Sequence, residues 1–401
     1  MSKPTLMYHR QSSGGIGGLL RCLALARSLS RQYQVVVLNN GPLPKGISAP
    51  AGVAVLQMPE CDYHQLGENQ DYNQFASDRR DFSLLQYARL KPDVLMIETF
   101  PFARGGRKEE LQPLLDLARA DPDRKPVVLC CMIDMHAANV ADLESENQQI
   151  VELLEQYFDA VLVHSDPKFA RLEELFQPQN GLATPVVYTG FLAPGRSTVI
   201  PTGAKEKRIL VSAGGGAFGG SLFRTAIEAH RLLWEAEGLP MTIITGPMLP
   251  RTEAQKLLWL SRHSHALTIK RTVPNIGVEM RKVRWSVSQC GYSTAAEVIR
   301  SGVAPLFVPS QDERCAGQIE RARRLHHWGA SRLLVESHLN AASLAHEVMQ
   351  LVRFVPRETG FDMSGSAKTI SLIEQLTTQS GFGYSEGSKK EHAKVVASSK
   401  R

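Results

Sequence analysis

Short apolar runs alternate with longer amphipathic segments along most of the chain, and this alternation constrains the fold more than any other feature. The runs are rich in Val, Ile and Leu, and the segments between them have a helical period. Such a pattern predicts strands joined by helices, which form parallel sheets with helices packed on their faces. The predicted strands are PTLMYH, QVVVLNN, VAVLQM, DVLMIET, PVVLCCMI, AVLVHS and PVVYTGF, followed by RILVSAGGG, MTIITGP, LTIKRT, WSVSQCG and APLFVPS.

The alternation stops between the seventh and the eighth predicted strands. Residues 193–208 contain Pro, Gly and charged residues without periodicity, which is typical of a linker. We therefore expect an N-terminal Rossmann-like domain at 1–192 and a second α/β domain at 209–375. Residues 378–401 are rich in Ser, Gly and Lys and predict a disordered basic tail.

The composition favours a soluble globular protein, with 43% hydrophobic and 21% charged residues. No apolar run reaches the roughly 20 residues that span a bilayer, and the N-terminus does not look like a signal peptide, so we expect a cytoplasmic protein. The net charge of +6 favours anionic ligands, or peripheral contact with the inner face of a membrane. No motif predicts nucleic-acid binding.

Three glycine-rich turns directly follow predicted strands, at 12–18, 212–220 and 288–293. Glycine lets backbone N–H groups approach a ligand, and a helix N-terminus beyond the turn favours phosphate. An ordinary strand-to-helix turn explains each one equally well. Three such turns at the carboxyl ends of strands, where open α/β sheets bind ligands, favour a phosphate-containing ligand. None has the GK[ST] of a P-loop, and no acid ends the strand QVVVLNN as NAD binding requires.

The third turn leads into a predicted helix that carries a charged residue, Glu297. Gly291 is predicted to allow the turn, and Ser293 and Thr294 to cap the helix. The Glu297 carboxylate then lies one turn inside the helix, where it can accept two sugar hydroxyls. Alternatively, Glu297 completes a capping box with Thr294, because their spacing fits that motif. Spacing alone leaves both interpretations open.

These residues resemble the donor-binding region of the GT-B glycosyltransferases, most closely the C-terminal domain of family 28. Wider stretches of the chain, 96–115, 211–220 and 321–330, resemble a bacterial branch of predicted glycosyltransferases, and the similarity covers about residues 5–375. The family pattern has a Gly, then Ser or Thr, a Glu six residues after the Gly, a further Gly, an apolar strand ending in Pro, and a Gln-containing stretch. It is met at Gly291, Ser293, Thr294, Glu297, Gly302, Pro309 and Gln318.

The resemblance implies the GT-B fold, in which two Rossmann-like domains face each other across a cleft. It also implies transfer of a hexosyl or N-acetylhexosaminyl group from a UDP or dTDP sugar, with no metal and no other cofactor. The phosphates would meet the second and third turns, the base would lie by Val273, Glu297 would hold the ribose, and Gln318 would face the sugar. The implied donor-binding residues are Gly214, Gly215, Gly216, Val273, Gly291, Ser293, Thr294, Glu297 and Gln318.

The acceptor is expected on the N-terminal domain, where Gly15, Gly17, Gly18 and Arg21 would form an acceptor or phosphate loop. Many relatives carry a His in or just after this loop, and this chain does not. Glu98 and Asp134 each end a predicted strand and are therefore our candidates for the general base.

The acceptor itself, whether a saccharide, a lipid-linked molecule or a small metabolite, is not identified by the sequence. Residues 60–82 have no regular periodicity and are predicted to form an acceptor-binding loop, or else a simple surface cover.

Two other functions fit the same residues. The stretch GIGGLLRCLALARSL also resembles nucleotide-sugar hydrolases of nonulosonic acid synthesis, which give the sugar to water. The catalytic His of those enzymes is also missing here. The chain could instead be a catalytically silent nucleotide-sugar-binding partner of another transferase, because such a partner does not need the missing His.

Overall fold

The chain folds into two parallel sheets, each with helices packed against it. In the first sheet every neighbouring pair of strands is parallel, in the order β3-β2-β1-β4-β5-β6-β7. The strands are β1 (Thr5–His9), β2 (Gln34–Asn40), β3 (Val53–Met58), β4 (Val94–Glu98), β5 (Val127–Ile133), β6 (Ala160–His164) and β7 (Val186–Tyr188). The computed structural model describes residues 3–11, 15–59, 71–102, 108–120, 125–133, 143–193, 204–312, 315 and 317–380.

The second sheet is also parallel, in the order β10-β9-β8-β11-β12-β13. Its first strand begins at Glu206, inside the segment predicted as a linker. The strands are β8 (Glu206–Ser212), β9 (Met241–Ile244), β10 (Leu267–Lys270), β11 (Val283–Ser288), β12 (Ala304–Phe307) and β13 (Arg332–Leu333).

Helices connect most successive strands in both units, as the sequence pattern predicts, but β2 leads to β3 without a helix and only a short 3-10 helix lies between β6 and β7. Those of the first unit are α1 (Gly15–Leu29), α2 (Asp71–Leu90), α3 (Lys108–Ala120) and α4 (Leu143–Tyr157). Those that follow are α5 (Gly220–Glu237), α6 (Arg251–Leu260), α7 (Ile276–Lys282), α8 (Tyr292–Ser301), α9 (Gln318–His327), α10 (Ala341–Val352) and α11 (Gly365–Ser380). In the part of the chain that the structure describes, no helix is long and apolar enough to cross a membrane.

The strand order of each sheet reverses once, and the glycine turns lie at these reversals. In the first sheet the switch lies between β1, which leads into the first turn, and β4. In the second sheet it lies between β8 and β11, which lead into the second and third turns. Open α/β sheets bind ligands at the switch point, outside the carboxyl ends of the strands, and the second and third turns and residues 15–18 of the first lie at such points; residues 12–14 lie outside the described part of the chain.

One continuous apolar core joins the two units. The rings of Phe169 and Phe191 in the first unit contact Tyr292 and Phe361, with ring centroids 5.3 to 6.0 Å apart. The chain then crosses back, because α11 packs its buried Ile373 into the core around α1 and the first sheet. The units are therefore held together by buried aromatic and aliphatic surface as well as by the connecting chain.

The predicted loop 60–82 is partly wrong, since α2 begins at Asp71; residues 60–70 lie outside the described part of the chain. The helical period is hidden because the buried face of α2 carries polar side chains. Arg79 is fully buried, and its guanidinium bonds Glu110 of α3 at 3.0 Å and the side chain of Asn40 at 2.8 Å. A buried face of this kind gives no apolar repeat for the sequence pattern to detect.

The buried pair Arg79–Glu110 should make α2 sensitive to substitution. We expect Arg79→Ala to lower the free energy of unfolding by about 3 kcal/mol, because it leaves the Glu110 carboxylate buried without this guanidinium. The neighbouring Arg80, whose ion pair with Asp81 is exposed, is the matched control, and Arg80→Ala should change stability by less than about 0.5 kcal/mol. Urea denaturation followed by circular dichroism measures both. Equal effects of the two substitutions would contradict a stabilising role for the buried Arg79–Glu110 pair.

Candidate functional site

The three glycine turns meet where the two switch points face each other. The hydroxyl of Ser293, at the start of α8, donates a hydrogen bond to the carbonyl of Gly17 in α1 at 2.9 Å. A Cβ placed on Gly215 of the second turn would lie 3.0 Å from Cγ2 of Ile16. Both glycine turns of the second unit therefore touch the N-terminal residues of α1. This junction brings together the regions that the sequence assigned to the donor and to the acceptor.

The second turn is fixed by its own backbone. Gly216 has φ of 91°, and a Cβ on it would lie 1.9 Å from the carbonyl oxygen of Thr245, so no other residue fits. The carbonyl of the preceding Gly215 accepts a hydrogen bond from the backbone N–H of Met248 at 2.8 Å. Gly214 of this turn and Gly291 of the third turn both face the Thr294 hydroxyl, which a Cβ on either would approach to 3.9–4.0 Å.

Helix α8 begins earlier than predicted, and the expected caps are wrong. Gly291 is the N-cap residue, with φ of −61° and ψ of 150°, and Tyr292 is the first helical residue. Ser293 and Thr294 therefore lie inside the first turn and cap nothing. The capping box of Thr294 with Glu297 is wrong for the same reason. The Glu297 carboxylate is instead bonded by Nη2 of Arg300, one turn further along α8.

Tyr292 joins the two units through its hydroxyl. It donates to the carbonyl of His164 at 2.6 Å and accepts from the backbone N–H of Leu192 at 2.8 Å. The guanidinium carbon of Arg21 lies 5.3 Å from the centroid of its ring, within the range of a cation–π contact. Sequence analysis did not single out Tyr292, because a tyrosine at the start of a helix carries no motif.

Arg21 and Glu98 form a buried ion pair at the carboxyl edge of the first sheet. Burial opposes the charge of Arg21 most strongly, but the Glu98 carboxylate, together with Tyr8 and Tyr292, outweighs it and raises the pKa of the guanidinium. Arg21, predicted in the acceptor loop, and Glu98, predicted as the general base, are thus in direct contact. Arg21 had been expected to face an acceptor instead. An ion-paired carboxylate is a weaker base than a free one, because the guanidinium stabilises its charged form.

His164 lies at the same edge and was missed by the sequence analysis. His164 is the last residue of β6, as Glu98 is of β4. The rule that selected Glu98, its place at the carboxyl end of a parallel strand, therefore also applied to His164. Its Nδ1 is hydrogen-bonded to the Thr189 hydroxyl at 2.8 Å, and its buried Nε2 has no hydrogen-bond partner among the described residues. Burial, aided by the charge of Arg21, lowers the pKa of His164 to about 3, so the imidazole is neutral at physiological pH.

The remaining predicted residues are scattered around this junction. Gly15 and Gly18 lie in the first turn of α1, and Val273 packs against the core that joins the units. Gln318 begins α9, and its side-chain oxygen accepts a hydrogen bond from the backbone N–H of Ser310 at 3.2 Å. Asp134 lies outside the described residues. Within the described ranges, no cluster of three or more His, Cys, Asp or Glu side chains could hold a metal ion.

Two Rossmann-like units that face each other at their switch points define a GT-B fold, and the predicted fold class is confirmed. Residues 210–375 match the model of the Glycosyltransferase family 28 C-terminal domain. The predicted resemblance to a family-28-like GT-B glycosyltransferase is therefore also confirmed.

Individual relatives agree with this assignment. The chain is 26% identical over 109 residues to the UDP-N-acetylglucosamine–N-acetylmuramyl-(pentapeptide) pyrophosphoryl-undecaprenol N-acetylglucosamine transferase of Oenococcus oeni. That match spans 27% of the chain and 29% of the relative, less than a third of its length.

Two solved structures share the fold over nearly the whole chain. MurG of Acinetobacter baumannii has 16% identity and a TM-score of 0.57, with coverage of 93% of this chain and 99% of that one. The calicheamicin glycosyltransferase CalG4 has 16% identity and a TM-score of 0.59, with coverage of 95% and 96%. At this level of identity the structures establish the fold alone.

The Tyr292 hydroxyl should be needed to hold the units together. Tyr292→Phe leaves the carbonyl of His164 and the N–H of Leu192 without this partner, at a cost of about 1–3 kcal/mol. We expect faster hydrogen exchange at the Leu192 amide, measured by NMR or mass spectrometry. Tyr188→Phe removes a hydroxyl that bonds residues of the first unit only, and it should leave the Leu192 exchange unchanged. Unchanged exchange in Tyr292→Phe would contradict this role.

The lowered pKa of His164 also predicts a pH dependence of stability. The ordinary histidine pKa is about 6.5 and that of folded His164 is about 3. Between these values the unfolded chain binds a proton that the folded chain does not, so His164 makes stability fall as pH falls from about 6.5 towards 3. His164→Gln should reduce the slope of the free energy of unfolding against pH by about 1.4 kcal/mol per unit in this window. An unchanged slope in urea denaturation would mean that His164 titrates normally.

Proposed function

We propose that this protein is a glycosyltransferase that uses a nucleotide sugar as its donor. The observation that carries the proposal is the junction itself, where two glycine turns of the family 28 domain lie against the glycine turn of the other unit. A donor on the second unit and an acceptor on the first would meet there. The name of the Oenococcus oeni relative, a transferase that uses UDP-N-acetylglucosamine, supports a hexosyl or N-acetylhexosaminyl donor.

In the proposed reaction an acceptor hydroxyl attacks the anomeric carbon while the bond to the nucleoside diphosphate breaks. The diphosphate would lie at the turns of Gly214–Gly216 and Gly291–Thr294, where the first N–H groups of α8 point towards it. Such fixed dipoles stabilise the negative charge of the leaving group, so we propose a transfer that needs no metal and no cofactor. Val273 would contact the base, Glu297 the ribose and Gln318 the sugar.

Gly15, Gly17 and Gly18 lie at the junction or beside it, and we propose that the acceptor approaches them. Glu98 and Asp134 stay the proposed bases, with Arg21 holding the Glu98 carboxylate in place. The acceptor is proposed to be a saccharide, a lipid-linked molecule or a small metabolite, taken up in the cytoplasm or at the inner face of the membrane.

One experiment separates the transferase from the two alternative functions. Titration calorimetry with UDP- and dTDP-sugars measures binding, and a product assay with and without an extract of the source cells measures turnover. Turnover only with the extract supports the transferase. Turnover to water without the extract would show a hydrolase, and binding without turnover would show a silent binding partner.

The donor assignment predicts that Glu297→Ala weakens binding of the nucleotide sugar by about 1–3 kcal/mol, because charged hydrogen bonds to the ribose are lost. Calorimetry measures the affinity, and the thermal midpoint is recorded alongside it. Unchanged affinity with a lower midpoint would mean that Glu297 serves only as the ion-pair partner of Arg300.

A further inference from the structure

The Glu297 carboxylate is held by two neighbours that the family pattern does not include. Glu297 is only 1% exposed, and it lies in α8, which packs against α7. Nη2 of Arg300 lies 2.8 Å from Oε1 and 2.7 Å from Oε2, so one nitrogen bonds both oxygens. Residues three apart on a helix are neighbours on its surface, which is why Arg300 reaches back to Glu297. This contact restricts rotation of the carboxylate and offsets the cost of burying its charge.

Gly277, in the first turn of α7, contacts the same carboxylate from another direction. A Cβ on Gly277 would lie 2.0 Å from Oε2 of Glu297 and 3.3 Å from Oδ1 of Asn275. The backbone of Gly277 is helical, so any residue could adopt its conformation. Glycine is therefore needed at this position for space, and the space is taken by the Glu297 carboxylate.

The start of α7 also connects Glu297 to the segment proposed for the base. Asn275 is the N-cap of α7, and its side chain accepts a hydrogen bond from the N–H of Val278 at 3.2 Å. Val273 lies two residues before this cap. A nucleoside whose base contacts Val273 would therefore have its ribose close to the first turn of α7, where Gly277 and Glu297 meet.

We propose that Arg300 and Gly277 are positioning residues that hold Glu297 for a ribose, so that the site selects ribonucleoside diphosphates over their 2′-deoxy counterparts. This inference rests on the proposed function, because it assumes that Glu297 binds the sugar of the nucleotide. A fixed carboxylate accepts the 2′- and 3′-hydroxyls together. A deoxyribose leaves one of these hydrogen bonds unmade, and a site built to bond a hydroxyl rejects the analogue that lacks it.

The test compares uridine diphosphate with 2′-deoxyuridine diphosphate, which differ in one hydroxyl. Calorimetry with the full chain should give a dissociation constant at least about tenfold larger for the deoxynucleotide, the effect of one charged hydrogen bond. Arg300→Ala and Gly277→Ala should reduce this ratio to about threefold or less, mainly by weakening uridine diphosphate. Arg300→Lys should restore part of the ratio, because an ammonium can still pair with the carboxylate.

A matched control is available in the same unit. Arg332 bonds Glu347 through Nε and Nη2, at 3.0 and 2.7 Å, and this pair is more exposed than Arg300–Glu297. Arg332→Ala should leave the nucleotide ratio unchanged even if it lowers the thermal midpoint. Thermal midpoints identify any variant that fails to fold. If the alanine variants fail to fold, Arg300→Lys alone tests the inference.

The outcomes distinguish this inference from the proposed function. If wild-type protein discriminates, and Arg300→Ala keeps the full ratio or binds uridine diphosphate more tightly, Arg300 does not position Glu297 and the inference is wrong. A wild-type ratio near one also overturns it, and so does a ratio that Glu297→Gln leaves unchanged. If the wild-type protein binds neither of these nucleotides nor any of the UDP- and dTDP-sugars, the proposed function itself fails.

Discussion

The hydroxyl of Tyr292 bonds the backbone of the first unit at two places, the carbonyl of His164 and the N–H of Leu192. Because Tyr292 is the first residue of α8, these bonds fix where the N-terminus of α8 lies relative to the first sheet. Ser293 can then reach Gly17, and Gly215 comes against Ile16. Together with the shared apolar core, this one side chain thus fixes where the proposed donor groups at the junction lie relative to the acceptor side.

The strands and turns could be predicted because both faces of a parallel sheet are buried. Strands such as β4 and β6 are apolar except for their last residue, and they stand out in the sequence for that reason. Helix α2 could not be placed, since its buried face carries Arg79 and Ser83, whose partners are distant in the chain. The start of α8 was misplaced because Ser293 and Thr294 are good capping residues, while the true cap is a glycine.

The sequence predicted which candidate residues lie at the edge of the sheet, but not which side chains contact one another. The rule that ligands bind at the carboxyl edge of a parallel sheet drew attention to Glu98, and the same rule applies to His164. The sequence could not show that Arg21 pairs with Glu98, because the two are 77 residues apart. Nor could it choose between a ribose ligand and a helix cap for Glu297, since both fit its spacing. The N-cap at Gly291 excludes the capping box, because Thr294 lies inside the helix.

The glycines of the junction differ in what requires them. Gly216 is required by the chain itself, because its φ is positive and a Cβ would meet the Thr245 carbonyl. Gly291 has an ordinary φ of −61°, and a Cβ on it would approach the Thr294 hydroxyl only to 3.9 Å, a normal contact. Neither conformation nor packing within the described residues therefore demands a glycine at 291. Its missing side chain leaves the first N–H groups of α8 open, which matters only for a molecule that approaches them closely, as a diphosphate would.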